Sequence, residues 1–494
     1  MSTQTEVANL DFDEFYTRDR LFIAGEWVAP LGRNRIDIVN PANEETIGSI
    51  PEASHADVDR AIASAVESFD SGPWRRLTYA QRAEYLSRLA DEIEARADDV
   101  AKAYVYDFGG TIRSGRGMAA GAAALVRAHV RFADQLSDEP ERVTVGNLEA
   151  LLVRDPIGPV LGIVPWNTTF FISMVKIAPA LLTGCPIVVK VATESPLGSF
   201  VLAEAIEAAG IPAGQVSFLP GRREALGGIT KRSEFKYISF TGSTPAGIDI
   251  MKDAAENVTA LTLELGGKSA GIVLDDLDPT DHAPLLFSGT MAQAGQICTT
   301  YSRILVPRAR ESEWRNALAE YYDNLVVGDP SDPETEVGPL VSAHHRDNVE
   351  RYIAIAREEG ATILAGGTRP EGLLRGFFVR PTLVADVTSD MRIVREEVFG
   401  PVITIQAYDS EEQAIAMAND SEFGLAAGIF TLSEDRAIEM ALRLDAGNIS
   451  MNLSSGSFQL PFGGYKKSGI GREGGFAGVE ELLQWKQVQL KRTS

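Results

Sequence analysis

Residues 159–190 read PVLGIVPWNTTFFISMVKIAPALLTGCPIVVK. A short β-rich run at 160–164 opens the stretch and a second at 187–190 closes it. The 20 residues from Phe170 to Val189 are mostly apolar and long enough to span a bilayer. Lys176, Pro179, Gly184 and Pro186 interrupt them, so the run reads as a buried helix, a turn and a strand rather than a membrane span.

The same alternation continues downstream. Runs at 216–219 and 237–240 have strand character, while 197–209 and 246–256 carry helical patterns. Strands alternating with helices predict βαβ units, an α/β class with a parallel sheet, and ligands at the carboxyl ends of its strands. After Thr299 the pattern resumes with strands at 303–306, 401–407 and 429–431 and helices at 314–325 and 411–419, a second α/β unit. Upstream, Val58, Ile62, Ala65, Val66 and Phe69 recur at helical spacing behind a Ser54 cap. Leu86, Leu89, Ile93 and Val100 follow from Gln81, so the first hundred residues are predicted to be largely helical. Beyond Arg142, two extended runs flank Gly146-Asn147, the signature of a hairpin and here of an exposed ribbon. The Gly/Pro-rich connections 328–339, 366–376 and 461–475 are the expected binding loops.

Composition narrows the function. At roughly 150 residues per domain, 494 residues make about three structural units. With 46 basic against 69 acidic residues the net charge is −23, too little positive charge to neutralise phosphates, so nucleic acid is not expected as a partner. Two cysteines, Cys185 and Cys298, cannot form a disulfide framework, and no Cys/His cluster exists to hold zinc. The N-terminus lacks the basic and apolar regions of a secretory signal, so a cytoplasmic protein without membrane attachment is expected.

Three short patterns are weak. Gly267 to Gly271 fits a serine-hydrolase elbow, but none of the five histidines has a local context tying it to Ser269. Gly469-Ile470-Gly471-Arg472-Glu473-Gly474 fits GxGxxG, yet no strand leads into it and no acidic residue follows at the needed distance, so it reads as a flexible loop. Gly267-Lys268-Ser269 resembles the end of a P-loop whose upstream glycine is replaced by Thr262. The turn from Phe240 to Gly247 has better context: it follows a strand and opens a helix, where free N–H groups could bind a pyrophosphate. Taken alone it is an ordinary βα turn capped by Thr or Ser. Cys185 reads as a buried small hydrophobe.

Six motifs then occur together. Pro165-Trp166-Asn167, Phe240-Thr241-Gly242-Ser243, Glu264-Leu265-Gly266-Gly267-Lys268-Ser269, Gly295-Gln296-Ile297-Cys298, Glu396-Glu397-Val398-Phe399-Gly400-Pro401 and Pro461-Phe462-Gly463-Gly464 stand in one order across nearly the whole chain. In order and spacing the sequence resembles the aldehyde dehydrogenase superfamily of the hydrolytic, non-acylating type.

The resemblance implies a cofactor-binding domain at 1–137 and 157–265, a catalytic domain at 266–460, a β oligomerisation ribbon at 138–156 and 477–494, and a loop at 461–476 returning to the active site. It implies that Cys298 attacks an aldehyde to give a thiohemiacetal, that Asn167 and a backbone N–H bind the oxyanion, and that Glu264 activates water to hydrolyse the thioester. Lys176 and Glu473 match positions that support the base. Trp166, Lys190, Thr193, Gly242, Ser243, Gly247, Leu265, Glu397 and Phe399 are the implied cofactor residues, for NAD with NADP tolerated, because Thr193 stands where relatives often carry a Glu that repels a 2′-phosphate. Phe170, Phe171, Val175, Ile297 and Phe458 are the candidate tunnel residues, and Asn167-Thr168-Thr169 replaces the Asn-Phe-Pro of many relatives. The expected partners are a small aldehyde and further copies of the chain, as a homodimer or homotetramer, with 142–153 and 482–490 pairing across subunits. Two rival readings are a catalytically silent homologue, whose mark would be loss of one of these residues, and a cofactor-independent cysteine esterase.

Overall fold

The computed structural model describes residues 15–454 and 456–490. Two parallel sheets organise it. The first has the strand order Gly469–Ile470, Ala260–Glu264, Tyr237–Thr241, Val160–Ile163, Ile187–Val191, Val216–Pro220, parallel except for the first strand. The second runs Thr362–Ala365, Thr382–Ala385, Val402–Tyr408, Arg303–Pro307, Ala270–Val273, Ala426–Phe430, Asn448–Met451, with only its first strand antiparallel.

The helix Thr169–Thr183 fills the space behind the first sheet. Every residue in it except Phe171 is buried, the pattern of a helix enclosed by its own protein. It ends where Gly184 turns left-handed at φ 92° and the Thr183 hydroxyl donates to the Pro179 carbonyl at 2.9 Å. Helices Tyr79–Ala95 and Ile112–Phe132 pack their apolar stripes, among them Leu86, Leu89, Ile93, Ala122 and Val126, into the same core. Among the described residues no helix is long and apolar enough to cross a membrane.

Three expectations need correction. The first hundred residues are not largely helical from the start: hairpins Leu21–Ile23/Glu26–Val28 and Arg35–Asn40/Glu45–Pro51 precede the helix His55–Ser71. Arg35–Asn40 alternates exposed and buried residues with a period of two, the mark of a half-buried strand. The Ser54 cap does form, as a capping box with Asp57.

The glycine-rich segment after Ser468 is not a free loop. Gly469–Ile470 pairs antiparallel with Leu263 and Glu264, and a Cβ at Gly469 would meet the Leu263 carbonyl oxygen at 2.2 Å. Only glycine lets the chain come that close.

The ribbon does form, from Glu141–Val145 and Leu148–Pro156 around Gly146 at φ 61°. The C-terminal strand Leu483–Leu490, however, pairs with Leu148–Pro156 of its own chain, in register from Leu483 against Pro156 to Leu490 against Glu149. The Ile157 N–H donates to the Leu482 carbonyl at 3.0 Å, which delivers the strand alongside its partner. What this sheet leaves unpaired within the chain are its two outer edges.

Candidate active site

A cleft opens at the carboxyl ends of the first sheet's strands, lined by Trp166, Asn167, Gly242, Ser243, Glu264 and Leu265 on one side and by Cys298, His345, Glu397 and Phe399, from segments that flank the second sheet, on the other. Its mostly apolar walls with a few convergent polar groups suit a small-molecule ligand, and the carboxyl edge is where parallel sheets bind ligands.

Asn167 sits in the turn between strand Val160–Ile163 and helix Thr169–Thr183. Two hydroxyls fix that turn, Thr169 donating to the Pro165 carbonyl at 2.8 Å and Ser195 to that of Trp166. The Asn167 amide nitrogen donates to the Gln296 carbonyl at 2.9 Å. An amide carries two N–H donors, so one remains to face the cleft.

Glu264 ends the strand Ala260–Glu264 and is 3% exposed, with both carboxylate oxygens lacking a hydrogen-bond partner. Burial pushes its carboxyl well above the usual range, the charge of Glu473 adds to that, and Lys176 opposes it. Lys176, itself buried, donates to Glu473 at 2.5 Å, Ser239 at 2.8 Å and Thr241 at 2.9 Å, so all three of its ammonium protons have acceptors. Both charges, which singly resemble surface residues in the sequence, form one enclosed ion pair.

The two glycines after Leu265 explain the tight approach of the second sheet. A Cβ at Gly266 would meet a Glu397 carboxylate oxygen at 2.2 Å, and one at Gly267 the Cys298 carbonyl oxygen at 2.6 Å. The Gly267 N–H donates to Glu397 at 3.0 Å, and the Ser468 hydroxyl clamps the Gly266 carbonyl at 2.7 Å. Burial pushes the Glu397 carboxyl up to about 7 against the Gly267 bond and Lys268. Burial also pushes the Cys298 thiol up to about 12, and the charges of Glu397 and Glu264 raise it further. Cys298 is a free thiol, as is the fully buried Cys185.

Ser243 precedes the helix Thr244–Ala255 and its side chain makes no capping bond; Pro245 has no N–H, which leaves the backbone N–H groups of Thr244 and Ala246 for an anion. Gly247 lies one turn on and away from the cleft, where a Cβ would meet Leu265 at 2.5 Å; it lets helix and strand pack closely. Lys190 is the penultimate residue of the strand Ile187–Val191, its ammonium pushed down by burial while Glu194 acts the other way. The Thr193 hydroxyl donates to Glu194 at 3.2 Å. None of these last three residues lines the cleft itself.

The tunnel candidates separate. Phe170 and Val175 do not face a tunnel but are sealed in the apolar core, because helical geometry turns them inward. Phe171 is partly exposed and meets Phe458 edge-on at 5.7 Å, and Phe458 stacks on Phe462 at 4.2 Å. Ile297 is also partly exposed. Thr168 and Ile172 line the cleft instead of an aromatic at that turn.

His345 was not among the residues singled out from sequence. Its ring lies edge-on to Trp166 at 5.1 Å and its Nε2–H donates to the Phe399 carbonyl at 2.7 Å. Burial lowers its proton affinity, which keeps it a neutral donor. The pair His344-His345 has no motif around it, so only the fold brings it here.

The model of the aldehyde dehydrogenase family matches residues 27–488. The chain is 38% identical to geranial dehydrogenase of Castellaniella defragrans over 95% of its own length and 98% of that protein's. It is 36% identical to betaine aldehyde dehydrogenase of Bacillus subtilis, covering 95% and 96%. Among solved structures, betaine aldehyde dehydrogenase of Staphylococcus aureus in complex with NAD+ superposes with a TM-score of 0.92 at 36% identity, covering 96% and 95%. Matched almost end to end in sequence and in fold, this chain is an enzyme of the aldehyde dehydrogenase family.

Proposed function

We propose that the enzyme oxidises an apolar aldehyde to its carboxylate with NAD+. The observation that carries this is the convergence of Cys298, Asn167, Glu264 and Glu397, drawn from its two sides, on one cleft. In this reading the Cys298 sulfur attacks the carbonyl carbon, and the free N–H of Asn167 receives the oxyanion. A donor so placed is worth about 10²–10³ in rate. The uncapped helix at Ser243 suits a pyrophosphate and the buried Glu397 carboxylate suits ribose hydroxyls, so NAD+ fits the cleft. Bound there, it supplies a two-electron hydride acceptor. Glu264, unpartnered and with raised proton affinity, takes a proton from the water that cleaves the thioester. Lys176 holds Glu473 beside it.

The apolar side chain of the substrate is supported by Phe171, Phe458 and Ile297, none charged, and by the likeness to a geranial dehydrogenase. For the cofactor, the carboxylate missing at Thr193 stands one residue on, at Glu194, beyond the end of the strand that follows the first βα unit. An acidic residue in that place is suited to accept from ribose hydroxyls and to repel a 2′-phosphate, so NAD is preferred and NADP is the poorer cofactor. The two sheets support assigning 1–137 with 157–265 to cofactor binding, 266–460 to catalysis, 138–156 with 477–494 to an oligomerisation ribbon, and 461–476 to a segment returning to the site. Two free thiols support a reducing, cytoplasmic location.

Initial rates of NADH formation with aliphatic, aromatic, amino and quaternary-ammonium aldehydes test the reading. Long aliphatic aldehydes turn over best, and Cys298→Ser abolishes turnover; hydrolysis of an activated ester at equal rate without NAD+, and no aldehyde oxidation, would overturn it. Lys176→Met removes the cation that lowers the Glu264 carboxyl. The rising limb of the kcat–pH profile then moves to higher pH, whereas an unmoved or lowered limb contradicts the network. Glu194→Gln raises the NADP/NAD ratio of kcat/KM about tenfold, equivalent to about 1.4 kcal/mol; an unchanged ratio removes Glu194 from cofactor choice. The two open ribbon edges, with Val145, Trp485 and Val488 exposed, support a homodimer or homotetramer, and light scattering at micromolar concentration that returned a monomer would refute it.

A further inference from the structure

The chain reaches Cys298 through a conformation that its residues resist. Gln293 and Ala294 both lie in the left-handed region, at φ 55° and 54°, followed by Gly295 at φ 68°. Left-handed backbone costs a residue with a Cβ, and such strain persists only where the surroundings over-determine it. Gly295 is pressed against the backbone of Gly400 in the same chain, since a Cβ there would meet the Gly400 carbonyl oxygen at 2.3 Å.

Gln296 supplies the over-determination. It is 1% exposed. Its side-chain nitrogen donates to the Gln293 carbonyl at 3.1 Å, across the strained turn, and points at the Pro339 carbonyl at 3.5 Å. Its side-chain oxygen accepts the Val341 N–H at 3.0 Å. Its backbone N–H also donates to the Gln293 carbonyl, at 3.1 Å, and its own carbonyl accepts the Asn167 amide at 2.9 Å. One residue thus joins the nucleophile turn, the oxyanion turn and the segment that leads to His345.

We propose that Gln296 is a positioning residue of the reaction: its side-chain amide locks the strained turn before Cys298 onto residues 339–341, while its carbonyl aims Asn167, so that sulfur and oxyanion donor keep a fixed register. It rests on the function proposed above and touches neither substrate nor cofactor.

Gln296→Met keeps the length of the side chain and removes its hydrogen bonds, and Gln296→Glu keeps an acceptor for the Val341 N–H. In Gln296→Met, kcat falls at least tenfold while KM for NAD+, and NAD+ affinity by calorimetry, stay within twofold, which shows that the fold and the cofactor cleft are intact. Gln296→Glu, which keeps the Val341 acceptor but sets a carboxylate against the Gln293 and Pro339 carbonyls, loses at least as much. Wild-type kcat in either variant overturns the proposal. Alkylation of Cys298 by iodoacetamide, followed by peptide mass, separates this from the proposed function. The rate changes several-fold in Gln296→Met even if no aldehyde is oxidised by the wild type, and an unchanged alkylation rate also overturns the proposal.

Discussion

Two carboxylates, Glu264 and Glu473, are buried around one ammonium, that of Lys176. Burying charge costs several kcal/mol per ion unless partners are close and well oriented. The protein meets that condition by bringing together segments remote in sequence: Lys176 from the helix behind the first sheet, Glu473 from the returning C-terminal segment, and Ser239 and Thr241 from the strand between. Glu264 alone receives no hydrogen bond. The energy that could have satisfied it is withheld, and the same arrangement that makes the core costly leaves a carboxylate able to take up a proton.

The second constraint is the close approach of Gly266 to the Glu397 carboxylate and of Gly267 to the Cys298 backbone. Gly266 and Gly267 let the end of one sheet touch Glu397 and the Cys298 carbonyl of the other, closer than any side chain permits. Cys298 and Asn167 come from different halves of the molecule, tied by the hydrogen bond from Asn167 to the carbonyl of Gln296, two residues before Cys298. In the proposed function, such close contact at the seam would serve the small tolerances that catalysis needs.

Much of this was legible in the residues. The alternation of strands and helices from Val160 onward matches the parallel sheet, because βαβ units write their order directly into hydrophobic pattern. Six motifs in one order point to the family, and most of their polar residues meet in the cleft. What escaped depends on pairing and packing. The first hairpin before His55 leaves little signal, its strands Leu21–Ile23 and Glu26–Val28 being three residues each. The partner of Leu483–Leu490 is a long-range choice that no local pattern specifies. That Phe170 and Val175 belong to the core is hidden in the sequence because nearly every residue of their helix is buried, so no polar face separates core positions from cleft positions. His345 becomes part of the site only through the fold, by way of Phe399 and Trp166.

The central claim is that Cys298 carries the substrate as a thioester which Glu264 releases. Intact-mass spectrometry of Glu264→Gln, incubated with NAD+ and a long aliphatic aldehyde, tests it most directly. The account predicts one acyl group per chain, mapped to Cys298 and absent from Cys298→Ser. An unmodified mass alongside full NADH turnover would contradict it.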